Sequence, residues 1–502
     1  MRPVLLTAVV LGGCAAASVF RPANSQPPAR LPDLAAADPA TNPHAKPYGV
    51  GTAPFAQRPA TSCSASSCHG GGEVGKVGSE HTTWAPEAFP RGDSDPHTKA
   101  YRALFNPVSV AMAKHLNLKE GAHNAALCLK CHAVDSTKNP ATRDQILSEG
   151  VGCGACHGPA DKWIGAHYTA EWKGLSNRAK WDKYGFVPAG NLVARTLNCA
   201  GCHAGDADRD VNHDLYAAGH PRLAFEAASF HNQPGYRKHW AEKTAQPDFE
   251  VRLWVVGQAA ALRSATDLLL ARAKSSDGAW PEFASYSCYS CHQTVGAAEL
   301  RGVASAGPRP AGAPGWEVWS NTAIELAAEY CGAAYPDLHA PDLSQVKALR
   351  TMMEAGRTPP AAKVVEQANK ALAQLDAWLV AMQAADDNRA ALKPVPKGTA
   401  ERLAHALAAN ALAKDNKLKD HDWDALAANY LGCAAMYHAT GGAAGGTKWV
   451  KELDAVRGNL KFPKAAGGRF DSPAGFDLKK LNLLRTNFER LRDATAPTGG
   501  NR

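Results

Sequence analysis

The sequence predicts a mainly α protein in two parts, a loop-rich region organised by a repeated cysteine–histidine motif and an Ala-rich helical domain after it. Three observations carry this. In the second half, apolar residues recur at intervals of three and four, as in Val364, Ala368, Leu372, Leu375, Leu379 and Met382, and in Leu481, Leu484, Phe488 and Leu491. That spacing lines one face of a helix, the usual pattern of a bundle core. Five close cysteine pairs, each followed at once by histidine, crowd the first 300 residues. No βαβ pattern surrounds any of them, so a parallel sheet is not expected. With 502 residues, 45% of them hydrophobic, the chain can build two or three domains with a sizeable core.

The first element, residues 1–14, reads as an export signal. Arg2 gives a minimal positive start and Val4–Leu11 form an apolar core too short to span a bilayer. Leu11-Gly12-Gly13-Cys14 resembles a lipoprotein box, which would lipidate Cys14 and tether the chain to a membrane surface. The alternative is cleavage just beyond, near Ala15-Ala16-Ala17. Either way the protein is expected outside the cytoplasm, periplasmic or membrane-tethered. Residues 15–60, rich in Ala and Pro, read as a flexible tether.

Residues 61–300 carry the motifs. CLKCH spans Cys128, Cys131 and His132, CGACH spans Cys153, Cys156 and His157, CAGCH spans Cys199, Cys202 and His203, and CYSCH spans Cys288, Cys291 and His292. The first motif is the longer CSASSCH, with Cys63 and Cys68 before His69. Roughly 0.01 copies of C-x-x-C-H would arise by chance at this composition, and four are present. The spacing has a chemical reason. Two thioethers must reach the two vinyl positions on one edge of a porphyrin, and the histidine after the second cysteine then lies under the ring and coordinates iron. Zinc does not require a histidine directly after every cysteine pair, and a redox-active C-x-x-C needs only one pair. Five covalently attached haem c groups are therefore expected, with His69, His132, His157, His203 and His292 as proximal ligands.

Each iron has a second axial position. The chain must travel around the ring edge to fill it, so the distal histidine is expected from a separate segment. Candidates are His81, His97, His115, His123, His167, His213, His220, His231 and His239. His97 (DPHTKAY), His167 (GAHY), His213 (VNHD) and His220 (AGHP) are the chosen distal ligands. His213 and His220, seven apart, could serve two haems. Only Met112 among the methionines lies in this region after the signal, so bis-histidine ligation and low potentials are expected.

The segment EGVGCGACHGPADKW, with His167 shortly after it, resembles the multihaem family typified by the tetrahaem cytochrome c-554 of nitrifying bacteria. TTWAPEAFPRGDSDPHTKAYRAL, which contains His97, resembles the part of such proteins that supplies a distal histidine. The resemblance covers roughly residues 60 to 295. It implies a helical, loop-rich fold wrapped around closely stacked haems, with electron transfer as the task. The chain departs from it in having five motifs, a C-x4-C-H opening and about 200 further residues.

A helix is expected at 248–274, with Val251, Val255, Leu262, Ala265 and Leu269 on one face. Residues 315–502 form the helical domain. There LAAEY at 326 and LAANY at 426, each with a cysteine soon after, hint at a duplicated helix. Cys331 and Cys433 form either a disulfide or two isolated buried thiols. The +8 formal charge offsets on the order of ten haem propionates, so nucleic acid is not an expected partner. The leading expectation is an electron carrier between redox partner proteins, with the helical domain as a candidate dock. The alternative is a multihaem oxidoreductase of small nitrogen or sulfur compounds with one open-coordination haem. No C-x-x-C-K variant is present to mark a lysine-ligated catalytic haem.

Overall fold

The computed structural model describes residues 46–51, 53–85, 95–134, 140–233, 236, 239–240, 248–288, 291, 310, 313–412, 422–442, 447–460 and 480–496. The export signal with Cys14, most of the expected tether and His292 lie outside them. Among the described residues the fold is helical and has no strand; two isolated bridges, Asp206–Arg209 and Tyr286–Trp316, are its β pairing.

The first half is built of short helices joined by turns. Those that position the motifs are α1 (Ala126–His132), α2 (Cys153–His157), α3 (Leu192–His203), α4 (His213–Ala217) and α5 (Ala227–His231). Their apolar clusters are small and local: Leu104, Ala113, Leu129 and Leu147 form one, and Ala160, Trp163 and Trp172 another. Three to six buried side chains per cluster, several of them alanines, are too few to hold such loops by apolar burial alone.

The main core lies further on. Helix α6 (Phe249–Lys274) packs against α3, α5, α9 (Ala361–Asp387) and α11 (Trp423–Ala439). Around it stand α7 (Val318–Asn321), α8 (Ser344–Met353), α10 (Thr399–Leu412), α12 (Val450–Leu460) and α13 (Leu481–Ala494). The stripes read from sequence fall inside: Val364, Ala368, Leu375, Leu379 and Met382 of α9 and Leu484, Phe488 and Leu491 of α13 are buried.

Helix α6 departs from expectation. It is buried on every side rather than along one face, with Trp254, Val255, Val256, Ala259 and Leu262 wholly inaccessible. Its arginines are inside too, each with partners. Arg263 binds Asp376 of α9 at 2.9 Å and Asp267 at 3.1 Å. Arg252 donates to the carbonyls of Ala334 and Lys393, and Arg272 binds Asp210 at 2.5 Å. A buried guanidinium is tolerated only when its donors are met in this way.

The end of the expected tether is fixed to this core. Tyr48 is buried, its backbone exchanges two 3.0 Å hydrogen bonds with the Gln383 amide, and its hydroxyl donates to Asp387 at 2.5 Å. Cys331 and Cys433 are separate buried thiols: Cys331 Sγ accepts from Trp378 at 3.2 Å, and Cys433 faces the Ala404 carbonyl.

Candidate haem-binding site

Three of the motifs are single turns of helix. CLKCH is the end of α1, CGACH is the whole of α2, and CAGCH is the last turn of α3. In a helix, residues three apart share a face and the next residue follows beside it. Both thiols and the histidine are thus presented together by local backbone alone. The first motif spaces its cysteines two residues wider and closes as a turn instead, with Cys68 N–H and Gly70 N–H both donating to the Ala65 carbonyl. At the fifth, Cys291 N–H donates to the Cys288 carbonyl at 3.2 Å.

The described proximal histidines each face a second histidine. The ring centroids of His69 and His167 are 6.2 Å apart, those of His203 and His97 6.2 Å, those of His157 and His239 6.2 Å, and those of His132 and His220 6.3 Å. Their ring planes meet at 21°, 74°, 55° and 88° respectively. An imidazole nitrogen sits about 2 Å from a bound transition metal and the ring centre about 1 Å behind it, so two imidazoles on opposite faces of one metal have centroids roughly 6 Å apart. Four pairs at one spacing, each with one motif histidine and one histidine from a distant segment, fit haem iron.

Hydrogen bonds at Nδ1 aim the rings. His69 Nδ1 is held by Glu80 at 2.9 Å, His97 by Asp95 at 2.8 Å, His132 by the Ala100 carbonyl at 2.9 Å, His167 by the Ile164 carbonyl at 2.8 Å and His220 by the Pro221 carbonyl at 2.7 Å. Fixing a proton on Nδ1 leaves the Nε2 lone pair for the metal. Burial, and then His239 itself, pushes His157 down to about 4; burial likewise lowers His239. A lowered imidazole is neutral near pH 7, which is the form that can bind a metal.

Three of the four chosen distal histidines, His97, His167 and His220, thus stand opposite motif histidines. The fourth, His213, lies at the start of α4 beside Phe283, with ring centroids 6.4 Å apart. His239 was a candidate that sequence reasoning did not choose. It is set by Trp240, whose ring lies 4.8 Å away and under the Arg195 guanidinium of α3. The aromatic neighbours in GYRKHW were the available signal. The remaining candidates sit elsewhere: His123 stacks on Phe105 at 4.7 Å, His81 lies beside Trp84, His115 ends a helix, and His231 packs among Phe249, Tyr236 and Trp240.

The motif thiols meet in pairs. Cys63 of the first motif hydrogen-bonds Cys153 of the third, which lowers the Cys63 thiol and raises Cys153. Cys131 of the second bonds Cys202 of the fourth, with the same lowering at Cys202 and raising at Cys131. The third and fourth motifs join through Asn198, whose amide donates to the carbonyls of Ala155 and Cys156. Burial, and then Cys199 close by, pushes Cys156 up to about 12.

Residues 86–158 match the family of cytochrome c554 and c-prime. That stretch holds His97, CLKCH and CGACH. Over it the chain is similar to a c-type cytochrome, a class of electron carriers with covalently bound haem c. No curated protein and no solved structure matches the chain. Among the described residues no helix is long and apolar enough to cross a membrane.

Proposed function

We propose that this chain is an exported multihaem c-type cytochrome that passes electrons between redox proteins through five covalently attached haem c groups. The observation that carries the reading is the set of four histidine pairs at 6.2–6.3 Å, each built on a different attachment motif. Cys63 and Cys68, Cys128 and Cys131, Cys153 and Cys156, Cys199 and Cys202, and Cys288 and Cys291 hold the groups. His69, His132, His157, His203 and His292 ligate from the proximal side. His167, His220, His239 and His97 close the distal positions of the first four. Each haem supplies reversible one-electron chemistry at iron when bound. Two histidines would hold each of these four groups, one from either side, and would leave no room there for a substrate.

The thiol contacts support an order for the attachment sites. The first adjoins the third, the third adjoins the fourth and the fourth adjoins the second. Chain order is then not site order. Location follows from the leader: Leu11-Gly12-Gly13-Cys14 supports a periplasmic or membrane-tethered protein, and maturation of haem c in such a protein takes place after export.

The experiment is the haem content of protein expressed with a c-type maturation system. Five covalent haems per chain by pyridine haemochrome and intact mass, low-spin ferric resonance at the four paired sites and reversible reduction without turnover are expected. Fewer covalent haems, or bound zinc by elemental analysis, overturns the reading. Robust reduction or oxidation of a small nitrogen or sulfur compound at an open haem replaces it with an oxidoreductase.

A further inference from the structure

Four distal histidines are accounted for by pairs, and the fifth attachment site has yet to be given one. Its cysteines, Cys288 and Cys291, follow a turn at Phe283–Ser285. Ser287 N–H donates to the Gly315 carbonyl at 2.8 Å and Glu317 N–H to the Ser285 carbonyl at 2.9 Å, which sets this strand of chain against the start of α7.

Two independent clamps tie the same turn to the segment that carries His213. The Glu282 carboxylate accepts from Ala284 N–H, which caps the turn, and from His213 N–H at 3.0 Å, which starts α4. The Arg272 guanidinium donates to Ser285 Oγ at 2.6 Å and binds the Asp210 carboxylate at 2.5 Å. With Asn212 capping α4 through Leu215 N–H, the His213 ring is delivered edge-on to Phe283, five residues before Cys288. His123, His81 and His231 have their ring neighbours at Phe105, Trp84 and Phe249 instead.

We infer that His213 is the distal ligand of the haem attached at Cys288 and Cys291, and that this site extends the row from the second motif's end. This rests on the haem reading above. The adjacency follows from α4 and the turn after it. His220 N–H donates to the Leu215 carbonyl at 2.9 Å while its ring faces His132, so one short segment serves the second site at one end and the fifth at the other. The order of sites becomes first, third, fourth, second, fifth, with the last one seated against the helical core through α7. A single segment carrying ligands to two sites couples their positions rigidly, which keeps the transfer distance between them fixed.

The test uses the holoprotein of His213→Ala beside wild type and His123→Ala. Wild type is expected to be low-spin at all five ferric haems. In His213→Ala one haem in five becomes high-spin, the reduced protein binds carbon monoxide at that one haem, and added imidazole restores the low-spin signal. His123→Ala changes nothing. His213→Met, which keeps six-coordination, raises the potential of one haem and leaves all five low-spin. Five haems that all stay low-spin in His213→Ala, with no carbon monoxide binding, overturn the inference while leaving the cytochrome reading intact. A wild-type protein with fewer than five covalent haems overturns that reading instead. Should His213→Ala fail to mature, His213→Met with an unshifted potential at every haem overturns the inference by itself.

Discussion

A single residue shows how tightly the attachment turns are built. Gly158 follows His157 with a φ of 78°, in the left-handed region that suits only glycine, and a Cβ there would lie 2.1 Å from the Gly185 carbonyl oxygen. The close approach lets Val187 N–H bond the His157 carbonyl at 3.0 Å and so fixes the backbone of the third motif's histidine. Gly158→Ala is expected to cost about 2–3 kcal/mol in denaturant unfolding of the holoprotein. An unchanged midpoint would show that this turn can relax. At this scale the motif half of the candidate site was legible because its geometry is local, with cysteine, cysteine and histidine presented by one helical turn in three of the motifs. The distal half was legible only in part. Whether His239 meets His157 is decided by a contact across 82 positions of sequence, and histidine spacing carries no record of it. The same limit applies to His213, whose ring neighbour Phe283 lies 70 positions further along the chain.

At the scale of elements, helix α3 links the two halves of the protein. Its last turn is the fourth motif, and its first turn is pinned to α9. Asn191 caps it by accepting from Val193 and Ala194, and the Asn191 amide donates to the Gln383 carbonyl at 2.9 Å and to Asp387 at 2.8 Å. Leu192 N–H donates to Asp386 at 2.6 Å. Asn191→Ala removes the cap and both crossing bonds at a buried position, and should lower holoprotein stability by about 2 kcal/mol in a chemical melt. A loss below a few tenths would mean the cap is redundant with Asp386. Helix α9 was readable because its apolar stripe has a clean period. Helix α6 was readable as a helix but not as the centre of the core. Arg252, Arg263 and Arg272 are charged, and the partners that let them be buried, Ala334, Lys393, Asp376 and Asp210, come from far along the chain. Periodicity registers charge, and it cannot register whether a distant carboxylate comes to meet it.

Across the whole molecule, charge is buried where the cytochrome-like region meets the helical core. Arg222 binds the wholly buried Asp424 of α11 at 2.5 Å, and Glu317 lies close to Arg222 and Arg272. Burial raises Glu317 to about 7 against the pull of those arginines, from an ordinary value near 4.5. A raised carboxyl means that the folded protein holds a proton the unfolded chain has released. Its stabilising effect is complete below about pH 4.5 and is lost as pH rises through about 7, a change of up to about 3 kcal/mol. Glu317→Gln should therefore gain in thermal midpoint relative to wild type between pH 5 and pH 8, and parallel profiles would contradict this. The mainly α class of the fold was legible throughout, since helical period is a local property. That one apolar core runs from Leu192 to Leu491 was not, because it is assembled from helices that are individually unremarkable. The four histidine pairs also differ from one another, from nearly parallel rings at His69 and His167 to perpendicular rings at His132 and His220. Parallel imidazole planes split the two iron d orbitals that point between them, whereas perpendicular planes leave those orbitals almost degenerate. With haem bound as proposed, sites identical in chemical composition would differ in magnetic anisotropy, so each could be followed separately as electrons are added.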